Sequence, residues 1–209
     1  MTASLGALLS TPLPGIKRSL SSPEAQQFRK YLDLLIKWQR THRLVGSVEL
    51  GWLIDNIVIN SLCFLEALPP DAHRIADIGS GAGVPGISIA IARPDVEVTL
   101  IEPMRRRTSF LATVIRELGL HHVEVVGVRV EALDASYFES FDAAVMRCAG
   151  PVESILSDAF RLLRPGGVVV VAAAPGRSPH PASETVEVAA GPGRVRTLRV
   201  LRKPLSAIS

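Results

Sequence analysis

The run Asp77-Ile78-Gly79-Ser80-Gly81-Ala82-Gly83-Val84-Pro85-Gly86 decides how this chain folds. It leaves an apolar stretch with strand character, 74–78, and opens a helical one, expected at about 84–92. Glycines at every second position let the backbone turn tightly and bring its N–H groups against a ligand with no Cβ in the way. In doubly wound sheets ligands sit at the carboxyl ends of the strands, where this turn lies. A second acid, Glu102, closes the next predicted strand, 97–101, and lies 25 residues beyond Asp77. A carboxylate there accepts hydrogen bonds from both hydroxyls of a ribose. Asp77, Gly79, Gly81, Gly83 and Glu102 are therefore candidate cofactor-binding residues. A purely structural turn beside a surface glutamate is the plainer alternative, and the complete order strand, loop, helix, strand, acid argues against it. Val84 stands where a dinucleotide fingerprint wants its last glycine, so a pyrophosphate binder is disfavoured.

Working outward, the alternation continues with a helix at about 105–118, strands at 123–128 and 143–146, a helix at about 151–163 and a strand at 168–173. Such alternation predicts a parallel sheet covered by helices on both faces. Beyond it, 186–189 and 195–201, joined by Gly191-Pro192-Gly193, read as a closing antiparallel hairpin. On the N-terminal side Ser21 and Glu24 have capping-box spacing, and Phe28, Tyr31, Leu34, Leu35 and Trp38 recur at helical spacing, predicting a helix over about 22–40. A second helix is expected from 50 to 65, before Pro69-Pro70. The fold class expected is α/β: a doubly wound, mostly parallel, Rossmann-like sheet, with residues 1–70 as a helical extension and 71–209 as the cofactor-binding domain, in one compact unit.

The composition narrows the setting. With 47% hydrophobic residues in 209, a core needs neither disulfides nor metal. Cys63 and Cys148 are far apart, and the five histidines, His42, His73, His121, His122 and His180, lack ligand spacing, so no metal is expected. No apolar run is long enough to span a bilayer and no basic-then-apolar leader opens the chain, so a cytoplasmic protein that avoids membranes is expected. The net charge is only +3, but residues 1–60 carry seven Lys or Arg against four acids and 190–209 carry five against none. Basic ends around an acidic centre suit a polyanionic partner, as a solvated surface also would.

Three elements together, Asp-x-Gly-x-Gly-x-Gly at 77–83, the acid after the second strand, and Leu162-Leu163-Arg164-Pro165-Gly166-Gly167, resemble class I methyltransferases. A narrower resemblance is to ribosomal RNA small-subunit methyltransferase G, also called glucose-inhibited division protein B. It rests on Gly83-Val84-Pro85-Gly86-Ile87, on the helix 31–38 ending in Trp38, on Arg106 to Leu111, on Arg129-Val130-Glu131, and on Phe141 to Ala149. This resemblance implies S-adenosylmethionine as cofactor, 16S rRNA or the small subunit as partner, and N7 of a guanosine as the methylated atom. It places Gly79 and Val84 in the cofactor loop and Val130 and Glu131 beside the adenine, and it matches Arg147 to a family arginine facing both cofactor and substrate, the candidate catalytic residue. A salt bridge to Asp142 is the structural alternative for Arg147.

The chain departs from that family at three places. Gln39 and then Arg43-Leu44-Val45 replace Asn and Asn-Leu-Thr, Ile57-Val58-Ile59-Asn60-Ser61 lacks the family histidine, and Pro175-Gly176 stands for Lys-Gly. A different RNA or small-molecule substrate, or a non-catalytic RNA-binding role, are the alternatives these changes raise. Arg40, Arg43, Arg105, Arg106 and Arg107 are candidate phosphate contacts. Cys148 reads as a small buried hydrophobe, not a nucleophile. The chain is expected to act as a monomer.

Overall fold

The computed structural model describes residues 12–147, 153–172 and 180–205. Seven strands form one sheet in the order β3-β2-β1-β4-β5-β7-β6. They are β1 (Arg74–Ile78), β2 (Glu97–Ile101), β3 (Val123–Val126), β4 (Phe141–Met146), β5 (Leu163–Ala172), β6 (Glu184–Ala189) and β7 (Val195–Arg202). The first five run parallel, and β7 joins antiparallel to both β5 and β6, as the hairpin pattern predicts. The strand order reverses at β1, whose neighbours are β2 and β4, so the crevice of the sheet opens above its carboxyl end.

Central strands buried on both faces read as continuous apolar runs, and their period of two divides the core. On one face Ile75, Val98, Leu100, Val145 and Val170 pack against α1 (Ser22–Gln39), a second helical segment α2 (50–66), α3 (Gly86–Ala92) and α4 (Arg105–Leu118). On the other, Ala76, Ile101, Met146 and Val169 meet α5 (Glu153–Leu162). The N-terminal segment is thus part of the layer covering the sheet. The capping box forms, with Ser21 N–H donating to Glu24 at 2.6 Å, and α1 buries Phe28, Tyr31, Leu32 and Leu35.

Several boundaries differ from expectation: β3 ends at Val126, β4 starts at Phe141 and β6 at Glu184, and three further differences have a visible cause. Strand β5 starts at Leu163, not 168, because Leu163 pairs with Phe141 ahead of a register shift and Arg164 reaches Asp142 at 2.9 Å, so the Pro-Gly-Gly turn lies within the strand. Helix α3 starts at Gly86, since Gly83 and Val84 N–H groups both donate to Ser80 O and close the turn first. Segment α2 is not one α-helix: an α-turn at Leu50–Leu53 passes into a π-helical stretch, Ile54–Ile59, and ends in a 3₁₀ turn, Cys63–Glu66. Apolar periodicity marks such a segment as helical without distinguishing its hydrogen-bond pattern. Cys148, the start of the fifth predicted helix and Pro175-Gly176 lie outside the described residues.

Candidate active site

The glycine turn adopts the left-handed conformations its sequence allows, with φ of +73° at Gly79 and +57° at Gly81. A Cβ at Gly79 would meet nothing within 4 Å, so this residue faces open space, whereas a Cβ at Gly86 would come within 2.6 Å of Asp77 Oδ2. Gly86 is a packing glycine that admits the Asp77 carboxylate under the helix.

Asp77 is fully buried, and its Oδ2 accepts the Gly86 N–H at 2.9 Å. Its Oδ1 has no partner among the described residues. Burial, with few compensating donors, pushes its carboxyl up to about 7. The folded chain therefore holds a proton on Asp77 between about pH 4 and pH 7 that the unfolded chain has released. Its contribution makes stability fall as pH rises through that window, by an amount on the order of 4 kcal/mol, and then level off. Urea midpoints at pH 5 and pH 8 test this: Asp77→Asn should flatten the difference, and an unchanged difference would place its source elsewhere.

Glu102 is 2% exposed at the end of β2. Its Oε2 accepts the Gly81 N–H at 2.9 Å and its Oε1 the Met104 N–H at 2.9 Å, which fixes the carboxylate directly beneath the turn. The Arg107 guanidinium stands 3.5 Å away. The extension reaches the same turn from the other side, since the buried Tyr31 hydroxyl donates to Ala82 O at 2.6 Å.

A cleft of about 320 Å³ opens here, a volume in the small-ligand range. One wall is Gly79, Ser80, Gly81, Ala82 and Val84, and the other is the segment 43–46 with Trp52 and Ile57. Arg107 and Arg147 line it as well. The structure therefore gathers Gly79, Gly81, Val84 and Arg147 around one cavity, with Glu102 and Asp77 supporting its floor. Gly83 packs behind the turn, where a Cβ would strike Ile87 at 2.5 Å. Val130 and Glu131 form a 3₁₀ turn after β3 and do not line this cleft; Val130 is buried in the second core cluster and Glu131 is exposed. Of the candidate phosphate contacts, Arg43 and Arg107 line the cleft, while Arg40, Arg105 and Arg106 are exposed outside it. Arg147 does not pair with Asp142: its Nη1 donates to Asn56 O at 2.8 Å, and Asp142 is held by Arg164 and by the His73 and Arg74 N–H groups.

The departures from the family pattern acquire physical meaning here. Gln39, at the end of α1, accepts the Leu44 and Val45 N–H groups at 2.7 and 2.9 Å and donates to Val45 O at 2.9 Å, so one side chain ties down the far wall. Gln39→Ala should loosen that wall: protease cleavage within 41–46 should rise about tenfold with little change in the melting temperature, and unchanged cleavage would assign the wall's order to other contacts. Ile57, where the family histidine would stand, presents an apolar surface to the cleft while its carbonyl accepts from Ser88 Oγ at 3.1 Å. Trp52 escaped the sequence reading. Its signal is that it sits at the edge of the apolar face of α2, beside the fully buried Leu53 and Ile54, a partly buried indole off the core stripe.

A family model described as GidB, rRNA small subunit methyltransferase G, matches residues 24–184. The chain belongs to this family. Its curated relatives include ribosomal RNA small subunit methyltransferase G of Halorhodospira halophila, 35% identical over 78% of this chain and 75% of that protein. The protein of the same name from Mycobacterium leprae is 41% identical over 71% of this chain, but the match spans only 60% of its length. A methyltransferase of Geobacter sulfurreducens has the same fold, with a TM-score of 0.56 and 19% identity over 89% of this chain and 90% of that one. No helix among the described residues is long and apolar enough to cross a membrane.

Proposed function

We propose that this chain transfers a methyl group from S-adenosylmethionine to N7 of a guanosine in 16S rRNA of the small ribosomal subunit. The observation that carries this reading is a buried carboxylate, Glu102, hydrogen-bonded beneath an open glycine turn, across a cleft from an apolar and aromatic wall. The residues suit the cofactor. Asp77 Oδ1 is a buried acceptor without a partner among the described residues, and a Cβ at Gly79 would meet nothing within 4 Å, so the turn itself is open. Asp77 and the 79–84 turn hold the amino-acid end of the donor, Glu102 its ribose hydroxyls, and Val130 and Glu131 flank its adenine.

When bound, the donor supplies an electrophilic methyl on a sulfonium. N7 of guanine carries its own lone pair, so the chain needs no general base; it must aim the base and exclude water. Trp52 is the only aromatic side chain lining the cleft among the described residues. Its ring offers a stacking face to an unstacked purine, and its π-face favours the positive charge that methylation leaves on the base. Arg147 touches the substrate from the end of β4 and orients it, neither donating nor accepting a proton. The same proposal has the chain working as a monomer in the cytoplasm, where the rRNA is, and without metal.

Nucleoside mapping of 16S rRNA tests the proposal. A strain lacking this chain should lack one 7-methylguanosine that the wild-type gene restores. An unchanged methylation map would overturn the ribosomal assignment.

A further inference from the structure

The five cations of residues 190–209 look alike in the sequence, but the fold separates them. Arg199 is bonded to Thr185, Arg202 donates to Gly166 O at 3.0 Å, and Lys203 pairs with Glu139 at 2.9 Å, all on the hairpin or toward the far end of β5. Arg194 and Arg196 differ. Arg194, in the turn between β6 and β7, pairs with Asp55 of α2. Arg147 donates to the carbonyl of the next residue, Asn56, so the hairpin and the cleft are tied to neighbouring positions of the π-helical stretch.

Arg196 shares a strand face with the buried Leu198 and Val200, the face that packs with α2, and is itself partly buried. It pairs with no carboxylate among the described residues, and its charge adds to burial, the largest influence, in lowering the Arg147 pKa against the larger opposing pull of Tyr31. Arg194 and Arg147 are thus anchored on consecutive residues of α2, Asp55 and Asn56, with Arg196 two residues beyond Arg194 on β7, and the Asp55 carboxylate is already engaged by Arg194. Like charges partly removed from water destabilise each other unless an anion lies between them.

We propose that Arg194 and Arg196, with Arg147, form a phosphate site at the rim of the cleft that takes a backbone phosphate of the RNA beside the target nucleotide. The proposal rests on the reading of the cleft as a methyltransferase site acting on rRNA. It gives the hairpin a substrate-binding role and supplies positive charge in a chain whose Pro175-Gly176 stands where the family has a lysine. A phosphate's oxygens accept from several guanidinium N–H groups at once, and releasing its counterions makes the contact dependent on salt.

Retention of deproteinised 16S rRNA and of small subunits, measured from 50 to 200 mM KCl, provides the test, with S-adenosylmethionine titrated calorimetrically alongside. For the double variant Arg194→Gln, Arg196→Gln, RNA affinity at 100 mM should fall about tenfold. The slope of log affinity against log salt should shrink by roughly 0.7 to 0.9, one phosphate's worth, with donor affinity unchanged. Arg196→Lys should keep the slope. Arg196→Gln alone leaves the Asp55 bridge intact and should still show the weaker slope, so a folding defect of the double variant does not hide the answer. An unchanged slope in Arg196→Gln overturns the proposal, and so does a loss of donor affinity, which would mean that the anion is the donor's carboxylate. A wild-type chain that binds donor yet neither RNA would instead refute the rRNA reading itself.

Discussion

Glu102→Ala should weaken S-adenosylmethionine binding by at least a hundredfold, the largest effect expected of any single change at the cleft. A carboxylate that accepts from two ribose hydroxyls contributes two charge-assisted hydrogen bonds, each worth about 1.5–3 kcal/mol when buried. Their loss alone spans two to four orders of magnitude in affinity. The same carboxylate also holds the Gly81 and Met104 N–H groups, so removing it leaves the turn less ordered as well. Glu102→Gln keeps the shape and one acceptor oxygen and should fall between the two. Calorimetric titration of the three proteins decides the matter. A Glu102→Ala protein that binds the donor like wild type would show that the carboxylate only braces the turn.

Gly86→Ala should cost both stability and donor binding. The added Cβ would stand 2.4 Å from Leu100 Cδ2, 2.6 Å from Asp77 Oδ2 and 3.0 Å from Asp77 Cβ, separations that atoms do not tolerate. Leu100 is fully buried in the core and Asp77 is fixed on the central strand, so neither can withdraw freely. Overpacking of this kind costs about 1–3 kcal/mol, which for a domain of this size lowers the melting temperature by several degrees. The displaced Asp77 carboxylate also loses its bond to the residue 86 N–H, so donor affinity should drop with stability. By contrast Gly79→Ala meets no atom within 4 Å and strains only the backbone at φ +73°. Thermal melts and donor titrations of the two variants should separate packing from backbone freedom. Equal and small effects would contradict the role given to Gly86.

The fold was legible where local pattern and global architecture agree. Strands β1 and β2 are bounded where the apolar runs end, and the glycine turn and Glu102 lie together as their spacing implies. Elsewhere the deciding interactions are long-range. Strand β5 extends through Pro165 and Gly166 because Arg164 and Leu163 find partners on β4, which no local signal at a Pro-Gly-Gly turn conveys. The π-helical stretch of α2 likewise leaves the apolar pattern unchanged. At the site, the glycines and the acid announce themselves by chemistry. Gln39, in contrast, reads in the sequence as a simple departure, because its side chain acts on backbone groups five and six residues on, which no local pattern marks. The five C-terminal cations are equal in a charge count, and long-range placement separates two of them: Arg194 by its pairing with Asp55, Arg196 by its partly buried place on the strand face of Leu198 and Val200.

The most direct test of the whole account is a crystal structure of this chain with S-adenosylhomocysteine, the demethylated donor. The account predicts its ribose hydroxyls on the Glu102 carboxylate, its ammonium toward Asp77 Oδ1, and its sulfur turned toward the wall formed by 43–46 and Trp52. A ligand seated elsewhere, or a cleft left empty at saturating concentration, would contradict it.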